Sequence, residues 1–298
     1  MYFCISQGSA YPTHQSEYLQ NTTQHNHKKM SKKIFDRARL LLGEETMKSI
    51  ADTRVILFGV GGVGSWCAES LVRSGLQHLT IVDGDKVCET NINRQALATT
   101  STIGKIKVEA MRDRLLDINP DANINAIFSV YNKDNADQFK LESYDYVIDA
   151  IDSLNDKMEL ILHATHIMRQ QKEQQRIALG DTNRQMEVRP HTLFYSSMGA
   201  ALKIDPLKIR ISEFWEIDGC PLARALRKRM KKKELFPESK FKCVWSPEVL
   251  PNPGEPSCCD TSISDISKAQ VNGSISHITA VFGFNIAALV LQDIMRQK

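Results

Sequence analysis

Residues 55–85, VILFGVGGVGSWCAESLVRSGLQHLTIVDGD, constrain the fold more than any other stretch of this chain. Val55-Ile56-Leu57-Phe58 is a short apolar run without alternation, the mark of a strand covered on both faces. Gly59, Gly61 and Gly64 follow in GxGxxG spacing, with Gly62 as an additional glycine. Such glycines serve a tight turn, close approach of backbone to phosphate, and close packing of helix on sheet. A helix opening at about Val63 would aim unpaired N–H groups and its positive dipole end at an anion. Asp83 stands 19 residues after Gly64, at the end of a second strand, where a carboxylate takes ribose hydroxyls. The unit is a nucleotide-binding βαβ, and by itself it does not say which nucleotide.

Beyond it, strands and helices alternate. Lys105–Ile118 carries Ile106, Ala110, Met111 and Leu115 on one helical face, and Ile124–Val130 reads as a strand. Ala136–Leu141 reads as a short helix, Tyr144–Asp149 as a strand and Lys157–Ile167 as a helix. Strand-like segments recur at Thr192–Gly199 and Ile209–Ile211, and a last helix spans Ile275–Met295. This order predicts an α/β, Rossmann-like, doubly wound and mostly parallel sheet, with Asp149 and Asp152 on the same rim as the glycine turn and Asp83. Residues 1–33 read as a disordered tail, polar and without a secretory pattern, with Met30 a sensible start. Residues 34–298 read as one domain, with a Gln- and Arg-rich surface insertion at 168–191 and a basic helical region at 221–242. The apolar run Ala280–Leu291 is too short to span a bilayer and reads as a core helix, so no membrane insertion is expected. Seven scattered cysteines, none in C-x-x-C spacing, suit reduced cytoplasmic thiols, and Cys258-Cys259 reads as two loop thiols.

An NAD-binding domain would satisfy the glycines and the acid equally well. The next segment tilts the reading toward ATP: Asp83-x-Asp85, then Asn91-x-x-Arg94-Gln95, then Lys107. Cleavage between the first two phosphates of ATP develops charge on pyrophosphate, which calls for fixed cations and usually magnesium. Arg94 and Lys107 suit the first need and Asp152 the second. Taken singly, each could be an ordinary surface or paired charge.

GVGGVGS, Asp83, Asn91-x-x-Arg94-Gln95, Lys107 and Val147-Ile148-Asp149-x-x-Asp152 together resemble the ThiF/MoeB/ubiquitin-activating superfamily, which adenylates carboxylates. That resemblance implies Asp83 on ribose, Asn91, Arg94 and Lys107 around the triphosphate, and Asp152 on magnesium. Arg39, in RARLLLG, is similar to the arginine that this superfamily reaches into a neighbouring subunit's ATP site, which implies a homodimer. Within the superfamily, FDRARLLLG, TNINRQ, YVIDAIDS, SSMGA, DPLKI, CPLARALRKRM and CVWSPE resemble the tRNA threonylcarbamoyladenosine dehydratase family (CsdL/TcdA type). The chemistry this implies is ATP-dependent cyclisation of the modified adenosine next to the anticodon. Cys243 sits where some members of that family carry a cysteine and reads as a packed thiol.

Arg224, Arg227, Lys228, Arg229, Lys231, Lys232 and Lys233 place seven cations within ten residues without an acid, which suits tRNA phosphates over a solvated face. The chain departs from the dehydratase pattern in its first 29 residues, in the long 168–191 stretch, and at Ala200-Ala201, whose methyls could narrow a pocket. The rival readings are an adenylyltransferase for a ubiquitin-like sulfur carrier, which would bring in a cysteine desulfurase or sulfur-acceptor system, and a non-catalytic nucleotide- or RNA-binding module.

Overall fold

The computed structural model describes residues 33–181, 187–254 and 272–297. The N-terminal tail, residues 182–186 of the expected insertion and the Cys258-Cys259 pair lie outside them. The elements are α1 (Asp36–Asp52), β1 (Arg54–Phe58), α2 (Gly62–Arg73), β2 (His78–Asp83), α3 (Lys107–Ile118), β3 (Asn123–Phe128), β4 (Tyr146–Asp149), α4 (Leu154–Ala178), β5 (Leu193–Ser197), β6 (Arg210–Glu213), α5 (Pro221–Lys233), β7 (Lys242–Trp245) and α6 (Ser276–Arg296).

The strands form one seven-stranded sheet in the order β3-β2-β1-β4-β5-β7-β6. Every pairing is parallel except β6 on β7, so the sheet is mostly parallel as expected. The four apolar residues of β1 are all buried and divide between two cores. Val55 and Leu57 meet α2, α3 and α6 on one face, whereas Ile56 and Phe58 meet α4 and α5 on the other. Burial on both faces is why this strand shows no alternation in sequence. The chain winds outward from β1 through β2 to β3, then crosses back to β4 on the opposite side of β1. The switch in winding therefore falls between β1 and β4, where such sheets open a crevice at the carboxyl ends of their strands.

The apolar helix α6 is a core element: Ile278, Phe282, Ile286 and Val290 are fully buried. It has the length and apolarity of a membrane span, yet more than half of that apolar window is buried inside the fold. Its approach to α2 depends on Gly283, where a Cβ would come within 2.5 Å of the Val63 carbonyl oxygen.

Besides the basic helical region expected over 221–242, whose helix α5 ends at Lys233, three departures from the sequence reading bear on the fold. α3 starts at Lys107 because Ile106 bridges to Lys86 in an extended pairing. The expected helix at Ala136–Leu141 is two 3-10 turns, separated by Lys140 at φ 46°. The third is α4, which runs on to Ala178, so the first part of 168–191 is helix and not an aperiodic insertion. Gln, Lys, Arg and Glu favour helix individually, and an apolar stripe is missing where the helix has run past the sheet. Strand β7 was not foreseen; it is four residues long, between a basic helix and a proline-rich loop.

At the end of β4 the fully buried Asp149 meets the fully buried Lys157 of α4 at 2.7 Å. Asp149 also accepts hydrogen bonds from the Ser196 hydroxyl (2.6 Å) and the Ile151 N–H (3.0 Å), and the Lys157 ammonium donates to the Ile151 carbonyl (2.8 Å). This network ties the 150–153 turn to β4, β5 and α4. Lys157→Met would leave a buried carboxylate without its counter-charge and is expected to lower unfolding free energy by about 3–5 kcal/mol. Urea denaturation measures this, and a loss under about 1 kcal/mol would mean that the pair does not hold the turn.

Candidate functional site

The glycine turn sits at the switch point. Gly59 has φ +86°, and a Cβ there would lie 2.7 Å from the Ala150 carbonyl oxygen, so turn and β4 loop touch backbone to backbone. A Cβ on Gly64 would sit 1.8 Å from the Gly59 carbonyl oxygen, which no side chain tolerates. Gly61 differs: its nearest neighbour would be the Gln95 side-chain nitrogen at 3.8 Å, leaving open space at the helix start. Gly61 caps α2 without a side-chain acceptor, so the first N–H groups and the dipole of that helix are directed at this space.

The acids and cations gather round it. One Asp83 oxygen accepts the Val60 N–H of the turn and the other the Asp85 N–H, each at 2.9 Å. Burial raises the Asp83 carboxyl above its ordinary range, against the pull of Lys107 and the backbone donors. The Lys107 ammonium donates to Asp85 at 2.9 Å. Burial disfavours its charge, but Asp83 and Asp85 together outweigh that and hold it above the usual lysine value, with Asp152 adding to the effect. Asp152 itself is exposed, in the turn that the Asp149–Lys157 pair anchors.

Arg94 lies against the start of α2: its Cγ would be 3.5 Å from a Cβ on Gly62. Its guanidinium donates to the Thr90 carbonyl (2.7 Å) and to Asn93 (3.0 Å). Its own carbonyl accepts from Trp66 Nε1 (3.0 Å) and the Thr279 hydroxyl (3.3 Å). Asn91 is buried, with its side-chain oxygen accepting the Cys88 N–H at 3.1 Å, so it shapes the turn that carries Arg94. Gln95 is the residue that sequence reasoning left out of the site. It is buried beside Gly61, and its side-chain oxygen has no hydrogen-bond partner among the described residues. A buried polar atom of that kind next to open space is a candidate ligand contact. Its place in Asn91-x-x-Arg94-Gln95 was the available signal.

The structure thus brings Gly59, Gly61, Gly62, Gly64, Asp83, Asp85, Asn91, Arg94, Lys107 and Asp152 to one rim. Arg39 pairs instead with Asp36 (2.6 Å) and Glu44 (2.8 Å) of α1, either side of a break at Gly43. The basic residues stand apart on α5, which buries Ala223, Leu226 and Met230 and turns Arg224, Lys228, Lys231, Lys232 and Lys233 to solvent. Arg229 is half-buried, and so is Arg227, whose guanidinium donates to the Trp215 (3.1 Å) and Ile217 (2.7 Å) carbonyls, a structural engagement that the charge count did not foresee. Cys243 is fully buried, and burial pushes its thiol well above the ordinary value, which disfavours a nucleophilic thiolate.

Residues 35–172 match the ThiF family. The tRNA threonylcarbamoyladenosine dehydratase of Haemophilus influenzae is 32% identical, the match covering 85% of this chain and 90% of that one. The enzyme of that name from Escherichia coli K12 is 33% identical over 86% of this chain and 91% of its own. The crystal structure of E. coli tRNA N6-threonylcarbamoyladenosine dehydratase, TcdA, in complex with ATP superposes with a TM-score of 0.70 at 31% identity, covering 88% of this chain and 94% of that one. The chain belongs to the ThiF family, on its tRNA threonylcarbamoyladenosine dehydratase branch.

Proposed function

We propose that this chain is an ATP-dependent dehydratase that cyclises threonylcarbamoyladenosine in tRNA next to the anticodon. The observation that carries the proposal is the convergence of an open helix N-terminus, Arg94 and a charged Lys107 at the β1–β4 switch point, in a chain one-third identical to dehydratases along most of its length. Phosphates at the α2 N-terminus would be met by backbone N–H groups and by the two cations. In the first step a threonine carboxylate oxygen attacks the α-phosphorus and pyrophosphate leaves. The ureido group of the same side chain then attacks the activated carbonyl, and AMP departs with the oxygen it has gained. Because attacking and attacked groups are already tethered, ring closure needs positioning more than a strong nucleophile. Asp83 would receive ribose, with Gln95 beside the phosphates.

Magnesium fits the residues present. Asp152 is an exposed carboxylate coupled electrostatically to Lys107 across the rim, and this ion is commonly held by one or two carboxylates plus substrate phosphates. When bound, it would neutralise phosphate charge. Action in the cytoplasm accords with an RNA substrate and with the reduced thiols of Cys67, Cys220 and Cys243.

A homodimer is part of the same proposal. Beside Arg39, Leu40 and Leu41 are 88% and 82% exposed, a tandem that a second copy would cover. Arg39 would then exchange its partners on α1 for phosphates of the neighbouring site.

Incubation with ATP and tRNA bearing threonylcarbamoyladenosine should yield a nucleoside lighter by one water on mass spectrometry. Arg94→Ala or Lys107→Ala should slow this by a factor on the order of 10² by removing charge stabilisation; near-normal turnover in both would refute the site. Mixed dimers of Arg39→Ala and Asp152→Ala chains should regain part of the activity that each homodimer lacks, since one shared site is intact; no regain would place Arg39 in its own subunit's service. Changing Lys231, Lys232 and Lys233 to Ala should weaken tRNA binding and flatten its salt dependence by roughly one log–log unit for each phosphate no longer neutralised. An unchanged slope would make α5 a solvated face.

A further inference from the structure

Two aromatic side chains flank α5 without serving either core. Trp215 and Phe236 are 40% and 48% exposed, and their ring centroids lie 6.3 Å apart at 43°. The Trp215 ring packs edge-on against the fully buried Phe214 at 5.3 Å, and Phe214 stacks on Phe241 at 5.2 Å, so the indole has a rigid backing. The backbone N–H of Trp215 donates to the Glu213 carboxylate (2.7 Å) and its carbonyl accepts from Arg227 of α5 (3.1 Å). Phe236 follows α5 directly, after Glu234 ends the helix at φ 55°. The pair is therefore held beside the turn that carries Lys231, Lys232 and Lys233.

Glu213, one residue before the turn that carries Trp215, pairs with Lys242 at the start of β7, which places the aromatics at the amino edge of the sheet. The other end of α5 is near the reactive edge, where a Cβ on Gly199 would meet Leu222 at 3.6 Å. A 13-residue helix is about 20 Å long, so α5 spans the distance between the two edges.

We infer that Trp215 and Phe236 form a stacking platform for an unpaired base of the tRNA, at the end of α5 away from the reactive edge, with α5 carrying the phosphates between. This rests on α5 being an RNA-binding helix. Exposed aromatic faces next to a row of cations are what recognition of unpaired RNA requires, because every base has a face to stack and every linkage a charge to meet. Of the nearby acids, Glu159 lies 3.9 Å from the Lys233 ammonium and partly offsets it, and the others oppose this little. The Glu213 and Glu216 carboxylates accept backbone N–H groups, Glu238 is paired with His166 and Arg169, and Glu234 stands beside three consecutive lysines.

The test compares the parent protein, the Trp215→Ala/Phe236→Ala double variant, the conservative Trp215→Phe/Phe236→Tyr variant and the triple lysine variant. Each is titrated with tRNA bearing threonylcarbamoyladenosine and with a fully paired RNA duplex, over a salt series. The double alanine variant should bind tRNA on the order of tenfold more weakly, keep the parental salt slope and bind duplex as before. The conservative variant should retain most of the affinity, which separates missing stacking from failed folding. Parental tRNA affinity in the double alanine variant, with the lysine variant weakened, would overturn the platform and leave the RNA-binding helix standing. Parental affinity in both would overturn both. Equal weakening on tRNA and duplex, or a change of oligomeric state in sedimentation at unchanged tRNA affinity, would likewise overturn the platform, the latter making the pair a protein contact.

Discussion

The contact on which the structure depends is between the backbones of Gly64 and Gly59, the first turn of α2 against the end of β1. With 1.8 Å between a Cβ on Gly64 and the Gly59 oxygen, the helix can approach the strand only because that atom is missing. The approach brings the N-terminus of α2 to the crevice between β1 and β4, and Gly283 lets α6 close over α2 from behind by the same device. Both cores are built outward from this arrangement, since the alternating side chains of β1 feed each of them.

The chemistry follows from where charge is left over. Asp83 is committed to the glycine turn and to Asp85, and Asp85 to Lys107, so the acids mainly orient the turn and keep the lysine charged. The positive ends available to an anion are the helix N-terminus, Lys107 and Arg94. Asp152 supplies a carboxylate at the far side, on a turn fixed by the buried Asp149–Lys157 pair. Such a rim is preorganised for phosphate and demands little reorganisation when charge develops. Reaction at a tethered carboxylate then asks the protein to hold two substrates in register.

Much of this was legible in the residues. Glycine spacing and an unalternating β1 carry their reasons locally, so the nucleotide unit and the parallel sheet could be read directly. Asp149 could be placed on the rim but not recognised as half of a buried pair, because Lys157 reads in sequence as a surface helix charge. Arg227 was counted with the basic cluster although it caps the Trp215 turn, an interaction between residues whose neighbourhood only the fold creates. Gln95 was quoted within a motif yet assigned no role, since its unpartnered oxygen is a property of burial. The α4 extension was missed because periodicity reports a helix only where one face is covered.

The central claim is that the oxygen removed from the substrate leaves on AMP. Threonylcarbamoyladenosine labelled with oxygen-18 in its carboxylate, within tRNA and treated with the enzyme and unlabelled ATP, measures this by mass spectrometry of the nucleotide products. Attack on the α-phosphorus predicts one labelled oxygen in AMP and none in pyrophosphate. Label in inorganic phosphate, with ADP as the nucleotide product, would mean attack at the γ-phosphorus and would contradict the account.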